Sequence, residues 1–487
     1  MAVAASRRFV RSAAVLTLVV MGSTAVSAGA EVSATLAAGT GNLALPVVSG
    51  PVSGGVRTGM PQASAIYDLV RYGYTEKEYF VEGTATSTDV VPSEYLLPDS
   101  GPSASPGTKA RYKTRMIVTL PTRERFNGWA MVEWANVTFQ QDVMFAASEL
   151  HDYLIREGYA MVFVSAQKQG VDGAPTSLRS WDPVRYGSLV HPGDAYSFDI
   201  FSQALAAVRA GNRLKVDPMG GLKVDRVIAD GSSQSCGRLK AYINGVAEAA
   251  SLADGYLPLI CGAGLVDGRQ PVVPDTAPPT MWVNSELEGR FLPGPDSTRF
   301  RIWEIAGSSH IGNYATTQAA ATMARDEASV GGSPTPGIGW NPDAQRQYGE
   351  RASRPCLNLF PLHHSMIAAA EALRNWIVTG TPPQSARYER NGSAMARDGD
   401  GNVRGGVRLP PIDVPVATYA GADCSPPTIM GSTHKFDPAR LASLYPTHDD
   451  YVEKMATSTR NALGRGWMLQ REAAEMMSLA KAAPIPS

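Results

Sequence analysis

The sequence predicts an α/β fold in which a mostly parallel central sheet carries helices on both faces. Continuous apolar runs, typical of strands that are buried on both faces, alternate along the chain with segments of helical pattern. One of these strands runs through a glycine- and serine-rich turn, residues 231–235, directly into a segment of helical pattern. The 487 residues are more than one simple domain needs, but they suit such a core with insertions.

The elements follow in a consistent order. Residues 31–64 are rich in Ala, Gly, Ser and Pro and are expected to lie on the surface. The predicted strands are 79–85 and 112–120 as an antiparallel pair, then 129–134, 160–165, the strand that begins near residue 224, 279–284 and 300–305. The predicted helices are 145–157, 197–210, one from about residue 237, and 361–379. Residues 311–355 are a possible cap, and residues 380–487 form a C-terminal extension that is helical over 436–481.

The turn at residues 231–235 predicts a nucleophile elbow, the strand–turn–helix of α/β hydrolases. Such a turn strains the backbone of the nucleophile, so the residues two positions away on either side must be small. Gly231 and Ser235 occupy these positions, although the second is usually glycine, and Ser233 is the candidate nucleophile. The alternative is an ordinary surface loop, because serine and glycine are common in turns.

A histidine and a carboxylate follow the last two predicted core strands. A serine hydroxyl needs a histidine to take its proton, and that histidine needs a carboxylate to orient it. His310 lies just past the strand at 300–305 and is the candidate base. Glu288 and Glu286 both follow the strand at 279–284. Glu288 occupies the place where the acid usually lies and is preferred, with Glu286 as the alternative acid.

The chain has seven histidines, and the adjacent pair His363 and His364 is the other obvious candidate for the base. This pair lies at or near the start of a predicted helix and follows no strand. His310 is therefore preferred.

An oxyanion hole requires two backbone N–H donors beside the nucleophile. The first is expected from Gln234, which follows Ser233. The second is expected from the loop after the strand at 129–134, at Asn136 or Val137. The alternative for this loop is an ordinary turn at the end of a strand.

Composition and charge exclude several classes of protein. The 44 basic and 45 acidic residues leave a formal charge of −1, which does not indicate nucleic acid as a partner. No C-x-x-C pair and no H-x-x-E-H spacing occurs, so a zinc ribbon, a dithiol redox site and a metal-dependent hydrolase site are not expected.

The N-terminus resembles a signal peptide, predicted to comprise residues 1–30. Three arginines precede an apolar stretch that is too short to span a membrane, and Ala28-Gly29-Ala30 offers a cleavage site. A retained N-terminal anchor is the alternative. The mature chain is expected to be secreted or periplasmic and to have no membrane span. In an oxidising compartment, Cys356 could pair with Cys424 and Cys236 with Cys261, and four free thiols are the alternative.

Several segments resemble, in the same order, a bacterial family of largely uncharacterised, exported α/β-hydrolase-domain proteins. The similar segments are residues 126–128, 132–137, 164–167, 181–187, 191–194, 231–235, 284–286 and 301–310. The resemblance covers nearly all of the mature chain, residues 31–487. It implies the α/β-hydrolase fold, serine chemistry at Ser233 with His310 as base, and no cofactor. The family usually has Glu-x-Asp where this chain has Glu286-Leu287-Glu288, so the resemblance leaves the acid open.

These observations together predict an exported serine hydrolase that cleaves carboxylic esters through an acyl-enzyme. The expected partner is a small-molecule ester, and the oligomeric state is not indicated. An amidase, a lactonase or an acyltransferase would use the same residues. A catalytically inert, hydrolase-like binding protein is the alternative from outside the enzymes.

Overall fold

Nine strands form one central sheet in the computed structural model, which describes residues 43–57, 59–88, 104–246, 251–261, 273–290, 294–328, 357–421 and 429–486. The strands are β1 (Val47–Ser49), β2 (Tyr74–Thr86), β3 (Lys109–Pro121), β4 (Trp129–Trp134), β5 (Ala160–Val164), β6 (Arg226–Ser232), β7 (Gly255–Leu259), β8 (Thr280–Asn284) and β9 (Phe300–Glu304). Their order across the sheet is β1-β2-β3-β5-β4-β6-β7-β8-β9. Strands β4 to β9 run parallel to one another. Strands β1, β2 and β3 pair antiparallel with their neighbours.

In the described ranges, seven longer helices accompany the sheet. They are α1 (Phe145–Glu157), α2 (Ser197–Ala210), α3 (Gln234–Gly245), α4 (Asn313–Arg325), α5 (Leu362–Thr379), α6 (His448–Gly464) and α7 (Gln470–Ala482). Shorter α-helices are Lys168–Val171, Leu178–Trp181, Pro183–Tyr186, Pro410–Asp413 and Pro438–Leu444. Single 3₁₀ turns are Val70–Tyr72, Asp194–Tyr196, Gly211–Arg213 and Glu288–Arg290. Two small hairpins pair Arg390–Asn391 with Ala394–Met395, and Ala417–Ala420 with Ser432–Lys435.

Helices cover both faces of the sheet, as predicted. Successive strand residues point to opposite faces, so Met131 and Val132 of β4 belong to different apolar clusters. The cluster that contains Met131 includes residues of α1, α5, α6 and α7. The cluster that contains Val132 includes residues of α2 and α3. This arrangement explains why every residue of β4, β5, β7 and β8 is buried.

Most of the predicted elements are confirmed, including the antiparallel pair β2–β3, and α1 and α2 match their predicted bounds. Two strands of the sheet were missed: β1, and β7, which lies between the elbow strand and β8. The prediction for residues 31–64 was wrong in part, because Val47–Ser49 pairs with β2 and Gln62 and Ser64 are buried. Helix α4 lies within the predicted cap. Residues 329–355 of that cap fall outside the described residues. The domain boundaries stay predictions.

One edge of the sheet is a very short strand, and the other edge is covered by the C-terminal region. At one edge β1 has only three residues. At the other edge, β9 exchanges backbone hydrogen bonds with Ala386 and Val407 of the C-terminal region. Within the described part of the chain, no helix is both long and apolar enough to cross a membrane.

Candidate active site

Ser233 lies at the sharp turn between β6 and α3. Its φ is +58° and its ψ is −118°, a conformation that costs free energy for any residue with a side chain. The turn closes so tightly that a Cβ atom on Gly231 would lie 3.1 Å from the carbonyl oxygen of Ser235. A side chain at this position would push against the backbone at the start of α3, which favours the small residue that the motif predicts.

The serine that replaces the second glycine of the motif takes part in the turn. The Ser235 hydroxyl accepts a hydrogen bond from the Ser232 N–H at 3.1 Å and donates one to the Ser232 carbonyl at 2.9 Å. These two bonds join the end of β6 to the first turn of α3. The hydroxyl at position 235 thus gives the Ser232 N–H an acceptor and gives the Ser232 carbonyl a second donor besides the Asn136 side chain.

The structure brings Ser233, His310 and Glu288 together, although 77 residues separate the first two along the chain. The His310 Nε2 lies 2.7 Å from the Ser233 Oγ, and the His310 Nδ1 lies 2.5 Å from the Glu288 Oε1. With the proton on Nδ1 directed to the carboxylate, Nε2 is left as the acceptor for the serine hydroxyl. The three groups form one continuous hydrogen-bonded chain.

The Glu288 carboxylate is buried and fixed in place. Its second oxygen accepts hydrogen bonds from the Ser285 hydroxyl at 2.5 Å and from the Ser285 N–H at 3.0 Å. Burial acts to raise the pKa of Glu288, but His310 and the Ser285 donors outweigh it, so the pKa lies below its usual value. The carboxylate is therefore ionised at neutral pH, as a group that orients an imidazole must be. Ser285 has no signal of its own in the sequence beyond its place directly after β8.

Glu286, the alternative acid, points elsewhere. One of its carboxylate oxygens accepts the Gly307 N–H at 2.7 Å. The other accepts the Arg397 guanidinium at 3.0 Å and the Gly421 N–H at 3.2 Å. Glu286 thus ties the loop that carries His310 to two segments of the C-terminal region. Its partners are distant in sequence, so no local pattern could have separated the two glutamates.

The predicted oxyanion residues lie beside the elbow in different environments. The backbone N–H of Asn136 donates to the Val143 carbonyl, and its side-chain amide donates to the Ser232 carbonyl at 2.9 Å. The N–H of Val137 points to the side-chain oxygen of Gln234 at 3.4 Å, a long and weak contact. Gln234 is the first residue of α3, where backbone N–H groups have no acceptor within the helix. The Val137 and Gln234 amides are therefore the ones that can turn to a new acceptor.

A small pocket opens at Ser233 and His310. Its other lining residues are one threonine and five large apolar side chains: Thr138, Phe139, Phe145, Ile260, Ile311 and Ile429. Such a lining suits an uncharged, apolar group bound next to the serine. Sequence reasoning did not identify these residues, because they come from five separate segments that meet only in the folded chain.

Two further predictions concern cysteines and histidines. Cys236 of α3 forms a disulfide with Cys261, which follows β7. The other proposed partners, Cys356 and Cys424, lie outside the described residues. His363 and His364 lie in α5 and line a different cavity. Among the described residues, no group of three or more His, Cys, Asp or Glu side chains is arranged to hold a metal ion.

Comparison with known proteins gives a family and several structures of low similarity. No curated protein matches the chain. A glucuronoyl esterase from Solibacter usitatus has 11% identity and a TM-score of 0.25, with 51% of this chain and 73% of that chain covered. Brefeldin A esterase, a bacterial homologue of human hormone sensitive lipase, has 12% identity and a TM-score of 0.24, with coverage of 48% and 73%. Est1E from Butyrivibrio proteoclasticus has 12% identity and a TM-score of 0.25, with coverage of 44% and 93%.

The family comparison covers most of the chain. The family model described as alpha/beta hydrolase domain matches residues 48–478, a range that contains all nine strands of the sheet except the first residue of β1, together with the whole candidate site. The chain belongs to the alpha/beta hydrolase domain family.

Proposed function

We propose that the protein is a serine hydrolase that cleaves carboxylic esters. The observation that carries this proposal is the hydrogen-bonded chain from the Ser233 hydroxyl through His310 to Glu288. A serine, a histidine and a carboxylate in this order perform acyl transfer on several unrelated folds. The strained backbone at Ser233 adds support, because such strain is found where a nucleophile is held in position.

In the first half of the reaction, the Ser233 Oγ attacks the acyl carbon of the ester. His310 Nε2 takes the serine proton and then donates it to the departing alcohol. The Glu288 carboxylate stabilises the imidazolium that forms between these two steps. The product is an acyl-enzyme on Ser233.

The negative charge on the tetrahedral oxygen is stabilised by the backbone N–H groups of Gln234 and Val137. The long contact between Val137 and the Gln234 side chain is exchanged for a bond to this oxygen. Asn136 holds the loop that carries Val137 in place, because its side-chain amide donates a hydrogen bond to the Ser232 carbonyl. The apolar pocket at Ser233 holds the acyl group, and water activated by His310 then releases the acid.

Replacement of the nucleophile tests the proposal. We expect Ser233→Ala to keep the fold and to lower kcat for simple aryl esters by at least about 10³-fold, because the remaining site can only bind the ester and stabilise the oxyanion. The measurement is hydrolysis of an aryl acetate, together with labelling by a fluorophosphonate probe. Ser443→Ala is the matched control, since Ser443 is exposed on a short helix. Undiminished hydrolysis or labelling in Ser233→Ala would reject the assignment, and absence of both in the unaltered chain would favour an inert binding protein.

We also propose that the chain is exported. The basic, apolar and small-residue order of residues 1–30 supports a cleaved signal peptide. The Cys236–Cys261 disulfide supports an oxidising compartment. N-terminal sequencing of protein expressed in a bacterium with its native leader should read from Glu31. A mature protein that begins at residue 1 would contradict cleavage.

A further inference from the structure

A second cavity, separate from the one at Ser233, lies between α1, α4, α5 and α7. Its volume is about 80 Å³, whereas about 10–15 Å³ is enough for one water molecule. It therefore has room for several waters or for a small organic group. None of its lining residues lines the pocket at Ser233.

The floor of this cavity contains buried polar atoms without hydrogen-bond partners. His364 is fully buried, and neither of its ring nitrogens has a hydrogen-bond partner among the described residues. The Oε1 of Glu472 accepts the Arg156 guanidinium at 2.9 Å, but the Oε2 has no partner in this part of the chain. A buried polar atom left in this state costs free energy, so each such atom needs an explanation.

The distance between two acceptors indicates which kind of hydrogen-bond donor would satisfy both of them. The Nε2 of His364 lies 3.8 Å from the Oε2 of Glu475, too far for a hydrogen bond between them. Burial lowers the pKa of His364 to about 3, so the imidazole is neutral and offers an acceptor. A single nitrogen with several N–H groups can lie about 2.8 Å from both atoms at once. Glu472 Oε2 provides a third acceptor for the same kind of donor.

The charges around the cavity favour a cation as this donor. Three carboxylates line it: Asp152, Glu472 and Glu475. The two guanidiniums in the lining are Arg156, which is already bonded to Glu472 and Glu157, and Arg471, which is exposed at the rim.

The carboxylates also affect one another. Partial burial raises the pKa of Glu475, and the Asp152 and Glu472 carboxylates raise it further, whereas the Arg471 guanidinium lowers it. The remaining titratable groups in the lining are His363 and Tyr314. Burial and His364 hold the pKa of His363 well below its usual value, and burial and Asp152 hold the pKa of Tyr314 well above its usual value. The histidines therefore add no positive charge at neutral pH, and a bound cation would relieve the repulsion between the carboxylates.

We propose that this cavity binds a primary ammonium group, whose three N–H donors would be shared among His364, Glu472 and Glu475. The ligand class is a small organic amine in its cationic form. The aromatic ring of Tyr314 does not supply the binding energy, because His151 and His363 stack on its two faces. Recognition depends on hydrogen bonds and charge.

The test is isothermal titration of the full-length chain with butylammonium chloride at pH 8. Butan-1-ol is the neutral control of the same size. We expect saturable 1:1 binding of butylammonium and none of butan-1-ol. The side chain of Glu475 is 51% exposed, so Glu475→Gln should fold normally. This variant should weaken binding about fivefold, the effect of one partly exposed charged partner. Glu453→Gln on α6, an exposed carboxylate outside the cavity, should bind like the unaltered chain.

The pH dependence provides a second readout. Binding should weaken as the pH falls through the raised pKa of Glu475, because its protonation removes an acceptor and a charge. Absence of saturable binding would mean that the cavity holds water only and would overturn the proposal. Equal binding by Glu475→Gln and Glu453→Gln would also overturn it. Neither result depends on Ser233, so failure here is separate from failure of the proposed esterase activity.

Discussion

At the residue scale, two glutamates only two positions apart have unrelated environments. Glu288 bonds to the imidazole of His310, whereas Glu286 bonds to Gly307, Arg397 and Gly421. Glu288 is the first residue of the 3₁₀ turn that follows β8. We therefore propose an orienting role in catalysis for Glu288 and a positioning role for Glu286, which acts through the loop that carries His310.

This difference predicts different effects of the same substitution. Glu288→Gln should lower kcat for aryl esters by about 10²–10⁴-fold and change KM little, because a neutral amide neither fixes the tautomer of His310 nor stabilises its cation. Glu286→Gln should mainly lower the free energy of unfolding, since it removes the charge of a buried carboxylate that bonds to Arg397 and to two backbone N–H groups. Steady-state kinetics and urea unfolding of both variants separate these outcomes. If Glu286→Gln had the larger effect on kcat, the two roles would have to be exchanged.

A second pair of acidic residues lies below the elbow. Asp230 of β6 and Glu133 of β4 are neighbours in register and are both buried. The carboxylate of Glu133 accepts the N–H groups of Ala146 and Ala147 at the start of α1, but neither oxygen of Asp230 has a partner among the described residues. Burial raises the pKa of Glu133 to about 7, and burial and Glu133 raise the pKa of Asp230 well above its usual value.

This pair predicts a stability that depends on pH. The folded state holds a proton that the unfolded state loses at about pH 4–5, so the free energy of unfolding should fall as the pH rises towards the raised pKa. The Asp230→Asn variant lacks this pair of carboxylates. The difference between its free energy of unfolding and that of the unaltered chain should therefore rise, in favour of the variant, between pH 5 and pH 8. The expected rise is on the order of 2–3 kcal/mol.

Urea unfolding at the two pH values measures this effect. Asp225→Asn is the control, since the side chain of Asp225 is 56% exposed and should show no such rise. A constant difference between Asp230→Asn and the unaltered chain would argue against a shared buried proton.

At the scale of elements, the fold was predictable wherever a strand has a continuous apolar run or a clear alternation of apolar and polar residues. Strand β7 was not, because Gly255 and Pro258 lie within its five residues. Proline cannot donate to a sheet and normally argues against a central strand. The order of Ser233, Glu288 and His310 was still predictable, because each follows a recognisable strand. Contacts made by side chains from distant loops, such as the lining of the pocket, were not.

The Cys236–Cys261 disulfide joins two elements of the site. It links the first turn of α3, just after Ser233, to the end of β7, where Ile260 lines the pocket. The closed loop has a sequence separation of 25 residues, for which the chain-entropy model gives about 3 kcal/mol of stabilisation. We expect the double variant Cys236→Ala/Cys261→Ala to lose about this much in urea unfolding and to hydrolyse aryl esters more slowly. A double variant as stable as the oxidised chain would contradict this expectation.

At the scale of the whole molecule, the C-terminal region contributes to the main core. Met455 of α6 and Met476 of α7 belong to the same apolar cluster as Leu150 of α1 and Leu373 of α5. Arg156 of α1 also pairs with Glu472 of α7 at 2.9 Å. The predicted extension is therefore packed against the sheet's own helices.

This packing predicts that residues 436–487 cannot be removed without loss of the fold. The full-length chain should unfold in a single calorimetric transition, and a chain that ends at residue 435 should show no cooperative transition, because its core would be open to water. Aryl-ester hydrolysis of both chains is the second measurement. A shortened chain with a sharp transition and full activity would show that the C-terminal helices form an independent unit.

The covered edge of the sheet has a consequence for behaviour at high concentration. An open outer strand is a template on which a strand of another molecule can be added, and this is a common start of fibrous aggregation. Here Ala386 and Val407 already occupy the hydrogen-bonding groups of β9, and β1 offers only three residues at the opposite side. Self-association by continuation of the sheet from β9 would first have to displace these segments. The protein should therefore tolerate crowded, concentrated conditions without forming β-rich polymers.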